Sequence, residues 1–148
     1  IKAPEIVFID EGKPSKTLTA FQGKYLYVHF MNPKSVNDRR SLPLLKDLHE
    51  RYGGYVEFVT VYRKEDDLSL DSIQQSDLAG LTWDVYGLKS SNSIWERYQI
   101  SAFPHYVLID KHGYIVASPA FAPTPNGQYE TIDKTFFLLK QAIDRNGR

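Results

Sequence analysis

The sequence contains no cysteine in 148 residues. Disulfide bonds, thiolate metal sites and cysteine nucleophiles are therefore excluded outright. The absence leaves the compartment open, because a cysteine-free chain is comfortable in oxidising and reducing surroundings alike. There is no excess of either charge, with eighteen Lys and Arg against eighteen Asp and Glu, so nothing general points to nucleic acid or an anionic membrane. No apolar run approaches the roughly 18 residues that span a bilayer, and no direct membrane insertion by this segment is expected. No signal peptide is visible and the first residue is Ile1, which reads as a mature form or a domain excised from a longer precursor. Repeats and low-complexity tracts are also lacking, so residues 1–148 are expected to form one domain. The histidines at 49, 105 and 112 show no ligand spacing, and neither a metal nor another cofactor is expected.

What is present is the composition of a soluble globular protein, 42% hydrophobic and 24% charged. Aromatic residues reach 14%, ten of them tyrosines, which favours a Tyr-rich core and rim over a carbohydrate or peptide surface. Residues 5–9 (EIVFI) and 25–30 (YLYVHF) read as strands, the second apolar enough to be buried on both faces. A helical pattern runs from Ser35 to Tyr52, with Leu44, Leu45, Leu48 and Tyr52 on one face, and Gly53-Gly54 stops it. YVEFVTVY, 55–62, is the next strand. A polar stretch with the acidic run Lys64-Glu65-Asp66-Asp67 leads into a weak helix around 70–78, an extended piece over 81–88, and a short helix over 91–99 capped by Ser91 or Ser93. Strands at 105–110 and 114–118 flank a turn at Gly113 and predict a hairpin. A Pro/Gly loop, 119–127, precedes a final helix, 130–145, with Ile132, Phe136, Leu139 and Ile143 in one stripe. One βαβ crossover followed by a hairpin and a covering helix predicts an α/β fold, a mixed central sheet with helices on both faces.

Four stretches carry a more specific likeness. They are Ala3-Pro4 with LTAFQGKYLYVHF, the segment Phe30 to Pro43, YQISAFPHYVLIDKHGYIV over 98–116, and the C-terminal amphipathic helix. In order and spacing the chain resembles the thioredoxin superfamily, and within it the TlpA/ResA-like thiol–disulfide oxidoreductases of the bacterial cell envelope. The resemblance implies a thioredoxin-like fold over essentially the whole chain and an extracytoplasmic location, periplasmic or envelope-anchored. It places that family's CxxC motif on Ser35-Val36-Asn37-Asp38, with Ser35 and Asp38 at the two cysteine positions. The tryptophan before the motif falls on Lys34, the proline within the helix on Pro43, and the cis-proline on Pro104 after Phe103. The buried acid of some thioredoxins falls on His29.

Disulfide exchange needs a thiolate to attack and a second thiol to resolve the mixed disulfide. Serine and aspartate supply neither, so no catalytic residue is assigned and the chain is expected to be redox-inactive. Ser35-x-x-Asp38 instead fits a capping box, in which the serine oxygen accepts the amide three residues on and the acid reaches back. A serine-hydrolase grouping of Ser35, His29 and Asp38 is disfavoured, because His29 sits within a strand and no G-x-S-x-G elbow exists. If His29 pairs with Asp38, it becomes a candidate pH-sensitive buried group. The resemblance implies a groove around Met31, Lys34, Ser35, Phe103, Pro104 and His105 that receives an extended peptide or protein partner beside the cis-proline. Met31 and Phe103 are expected as apolar rim contacts, with a core role open for both, and His105 at the rim. Arg39 and Arg40 read as a solvated face, with docking of an acidic partner as the lesser reading. The alternatives are a purely structural envelope module, or a member of a thiol–disulfide system whose cysteines are supplied elsewhere.

Overall fold

The computed structural model describes residues 1–65, 70–123 and 131–147. The chain order is β1 (Val7–Phe8), β2 (Lys16–Thr17), a short 3-10 helix (Leu18–Phe21), β3 (Tyr25–Met31), α1 (Val36–Tyr52), β4 (Val56–Lys64) and α2 (Ser72–Ala79). It continues through β5 (Asp84–Lys89), α3 (Ile94–Arg97), β6 (His105–Ile109), β7 (Ile115–Ala117) and α4 (Ile132–Asn146). A five-stranded sheet has the order β5-β4-β3-β6-β7, and β1 and β2 form a small separate sheet. The thioredoxin-like mixed sheet expected from the sequence is therefore present.

Strands β3, β4 and β5 are parallel, while β6 and β7 run antiparallel to their neighbours. There are thus two parallel crossovers, through α1 and through α2, where the sequence suggested one. The piece at 81–88 is less legible because Asp84 and Gly87 interrupt its apolar pattern. The strand expected over 5–9 shrinks to two residues outside the central sheet, and the helix expected over 91–99 to four. Neither Ser91 nor Ser93 caps α3; the Asn92 side chain accepts the Ile94 amide at 2.9 Å instead. The hairpin β6–β7 turns at Gly113, whose φ of +91° is one that L side chains rarely adopt. Asp66 and Asp67 of the acidic run, residues 124–127 of the Pro/Gly loop and residue 130 lie outside the described residues.

Period-two alternation in β3 sorts the core onto two faces. Leu26, Val28 and Phe30 pack with Phe8, Phe21, Ile94 and Tyr98 on one side. Tyr27 and Met31 pack with Leu42, Leu45, Leu48, Tyr52 and Phe136 on the other. The buried stripe of α1 runs through Leu42 in place of the expected Leu44. Ser35 caps α1, and the Gly53 amide donates to the His49 carbonyl at its end. Pro43 lies inside α1 on the exposed side, where it withholds one backbone donor. Pro43→Ala is expected to stabilise the fold by about 1–3 kcal/mol in chemical denaturation, restoring the missing donor while freeing some unfolded-chain entropy. An unchanged or lower midpoint would show that the helix is built around the proline.

Candidate functional site

The start of α1 is fixed by β3 and by the loop that follows it. Asn32 follows β3, and its side chain accepts the Lys34 amide at 3.1 Å while its carbonyl accepts the Ser35 amide at 2.9 Å. The chain is thereby folded into the turn that delivers Ser35 to the N-cap. Ser35 Oγ accepts the Asp38 amide at 3.4 Å, one half of the expected capping box. The reciprocal half does not form. The Asp38 side chain turns inward to 0% exposure, where Oδ2 accepts the Asn32 amide at 3.0 Å and Oδ1 meets His29 Nε2 at 3.1 Å. A complete capping box is present at Asp71 and Gln74, at the start of α2.

His29 is buried at 1% exposure in the centre of the sheet. Its neighbours across the sheet are Thr60 on β4 and Tyr106 on β6. Nδ1 lies 3.1 Å from Thr60 Oγ1, and the imidazole stacks on the Tyr106 ring at 5.2 Å. Thr60 Oγ1 also accepts Trp83 Nε1–H at 2.8 Å. Since an indole N–H only donates and a carboxylate only accepts, one arrangement pairs every group. Trp83 donates to Thr60, the Thr60 hydroxyl donates to Nδ1, and Nε2–H donates to Asp38. Burial pushes the Tyr106 phenol well above its usual value, so that ring stays uncharged beside the pair.

This chain consumes the chemistry that a hydrolase would need. Both ring nitrogens of His29 are occupied, and Ser35 Oγ has Asp38 N–H as its partner, so no base is aimed at the serine. Among the described residues, no cluster of His, Cys, Asp or Glu could hold a metal ion. Thr60 and Trp83 lie outside the residues that the sequence singles out, whereas Asn32 reads there as part of a turn into the helix and makes that turn. The one signal was Thr60, a lone polar residue at an inward position of an apolar strand.

The other expected groove residues do not converge as side chains. Met31 is 1% exposed and packs in the α1-side core, so it offers no rim contact. Phe103 packs on the opposite core, with its ring 5.9 Å from Trp95. His105 pairs with Phe30 in the ladder and its ring meets Phe30 at 6.1 Å, again on the face away from α1. The Phe103–Pro104 peptide is cis. Lys34 is exposed and Ser35 partly exposed.

The sequence model of the Thioredoxin-like family matches residues 23–115. The chain belongs to this family. Solved structures agree on the fold. A protein assigned as a thiol-disulfide oxidoreductase from Bacteroides vulgatus is 21% identical, covers 99% of this chain and 91% of its own, and has a TM-score of 0.74. The C-terminal domain of another from Bacteroides thetaiotaomicron is 18% identical, with 95% of each chain covered and a TM-score of 0.72. A protein assigned as thiol:disulfide interchange protein DsbE from Chlorobium tepidum is 16% identical, covers 95% and 94%, and has a TM-score of 0.68. No curated protein matches the chain. Within this thioredoxin-like chain, the absence of cysteine leaves no thiol for the thiol–disulfide exchange assigned to those proteins.

Removing either partner of the buried pair orphans the other. His29→Ala and Asp38→Ala are each expected to cost about 3 kcal/mol, and the double variant clearly less than the sum. A urea-denaturation double-mutant cycle measures this, and additive losses would show the pair to be uncoupled. A second expectation concerns His105, whose value burial holds below the ordinary 6.5. Its neutral form is favoured on folding, so its contribution is complete above 6.5 and is lost as the pH falls through the lowered folded value. Stability is expected to decline on acidification from pH 7, and His105→Gln to flatten part of that decline.

Proposed function

We propose that this chain is a redox-inactive thioredoxin-like module of the bacterial cell envelope that binds an extended peptide or protein segment beside Pro104. The observation that carries the reading is the engagement of Asp38. At a position where the family resemblance expects a thiol, its carboxylate is buried and committed to His29 and to the Asn32 amide. The turn is held in shape without any cysteine, so the surface outlasts the reaction. The family resemblance, which places a peptide-receiving groove beside Pro104, supports partner docking through backbone hydrogen bonds, a mode in which main-chain pairing supplies affinity. The extracytoplasmic assignment draws on the thiol–disulfide relatives of like fold. Among the described residues no helix is long and apolar enough to cross a membrane.

Two measurements test this. Insulin reduction with dithiothreitol is expected to run at the blank rate, and turnover above blank would overturn the redox-inactive reading. Backbone NMR titration with a panel of extended peptides is expected to shift the Lys34, Ser35 and Phe103 amides together. Saturable shifts confined to another face would overturn the binding site, and no saturable shift with any peptide would favour a purely structural module.

A further inference from the structure

The apolar stripe of α4 is longer than the core it covers. Ile132 and Phe136 are buried, and Leu139 packs half-buried against the α1-side core. Ile143, the next member of the stripe, belongs to neither core cluster. It lines a cavity of about 220 Å³ instead. The cavity adjoins Tyr25, where β3 begins, and so lies at the end of the sheet opposite the Ser35 turn.

Backbone without side chains keeps this space open. Gly23 N–H donates to the Lys111 carbonyl at 3.0 Å, which ties the entry to β3 to the exit from β6. Gly23 and Gly147 line the cavity with φ of +106° and +74°. Beyond its chain neighbours, neither has an atom within 4 Å of where a Cβ would stand. Tyr25 and Tyr55, both packed against the α1-side core, make the lining mainly apolar. The Tyr55 hydroxyl donates to Asp144 at 3.0 Å, and Lys140 Nζ lies 5.7 Å from the centre of its ring.

The charged members of the lining are both lysines, Lys24 and Lys111. Lys24 Nζ has Glu57 at 3.7 Å, while Lys111 has no ion pair among the described residues. With Lys140 and Asp144 included, three ammonium groups meet two carboxylates, so one positive charge is left uncompensated.

We propose that this cavity binds a small aromatic carboxylate, its ring against Tyr25, Tyr55 and Ile143 and its carboxylate on Lys111. An apolar cavity of about 150 Å³ holds benzene, so the volume here suits one ring with a short polar arm. The ring gains from leaving water and from the aromatic walls. The carboxylate gains a charge-assisted hydrogen bond that fixes its orientation. A neutral ring has only the first gain and an inorganic anion only the second. The site is remote from Pro104 and does not depend on peptide binding there.

Titration of the full chain with benzoate and with benzamide, followed by backbone NMR, tests the proposal. Benzoate is expected to shift the Gly23, Lys111 and Gly147 amides together and saturably, at the millimolar level usual for so small a ligand. Benzamide should bind about tenfold more weakly, the factor that one charge-assisted hydrogen bond supplies. Lys111→Met, at an exposed position whose carbonyl stays bonded to Gly23, should lower benzoate to the level of benzamide. Ile143→Trp, which fills the cavity, should abolish both. Equal affinity for benzoate and benzamide, or benzoate affinity unchanged in Lys111→Met, would overturn the carboxylate assignment. Saturable shifts confined to another face, no saturation at about tens of millimolar benzoate, or undiminished binding in a folded Ile143→Trp chain would overturn the site.

Discussion

The buried carboxylate of Asp38 is the constraint from which the site's geometry follows. A carboxylate with no solvent contact is costly unless its lone pairs are met, and here each oxygen has one partner, from β3 and from the loop after it. Its own amide meanwhile donates to Ser35. One residue thus ties the end of β3, the Asn32 turn and the first turn of α1 to a single relative position. Such a pair is weak evidence for net stability, because desolvation offsets much of the attraction. Its effect is on uniqueness, since alternatives that leave either partner unmatched are penalised.

The constraint spreads because His29 is itself held from both sides. Thr60 and Tyr106 flank it in one row across the sheet, and Trp83 fixes the Thr60 hydroxyl from the segment that enters β5. Side chains contributed by β3, β4, β6, α1 and the approach to β5 therefore meet around one imidazole. Along the run of hydrogen bonds from Trp83 to Asp38 every donor meets an acceptor, as a stabilising polar network requires, whereas the buried Tyr106 hydroxyl beside it has no partner among the described residues. The same saturation explains the lack of hydrolytic geometry, since the two imidazole nitrogens face Thr60 and Asp38 and neither faces Ser35.

Where the deciding rule is local, the sequence was legible. Ser35 as N-cap, Gly53 at the end of α1, Gly113 in the hairpin and the apolar runs of β3 and β4 all follow from residues within a turn or a strand. The direction of the Asp38 side chain does not. The capping-box rule looks three residues back, whereas the stronger partner lies nine residues away across a strand-to-helix junction. The groove residues failed for a similar reason. Phe103 and His105 are close in sequence to Pro104, but strand alternation turns their rings to the face opposite Met31 and α1. The third parallel strand was obscured by Asp84 and Gly87, and Gly87 turns out to supply the amide that Asp10 caps.

The absence of thiols and the presence of the His29–Asp38 pair are structurally linked. The resemblance places the buried acid of some thioredoxins at the strand position and a thiol at the helix position; here the strand carries a histidine and the helix the acid. Replacing Ser35 and Asp38 by cysteine would supply the atoms for disulfide exchange, yet it would strip His29 of its acceptor inside a sealed core and release the Asn32 amide from Oδ2. The turn that must hold the thiols would then be the element most weakened. Redox chemistry is thus opposed by the packing beneath the site as well as by the missing sulfur, because the interaction that shapes the turn occupies the position at which the resemblance places the second thiol.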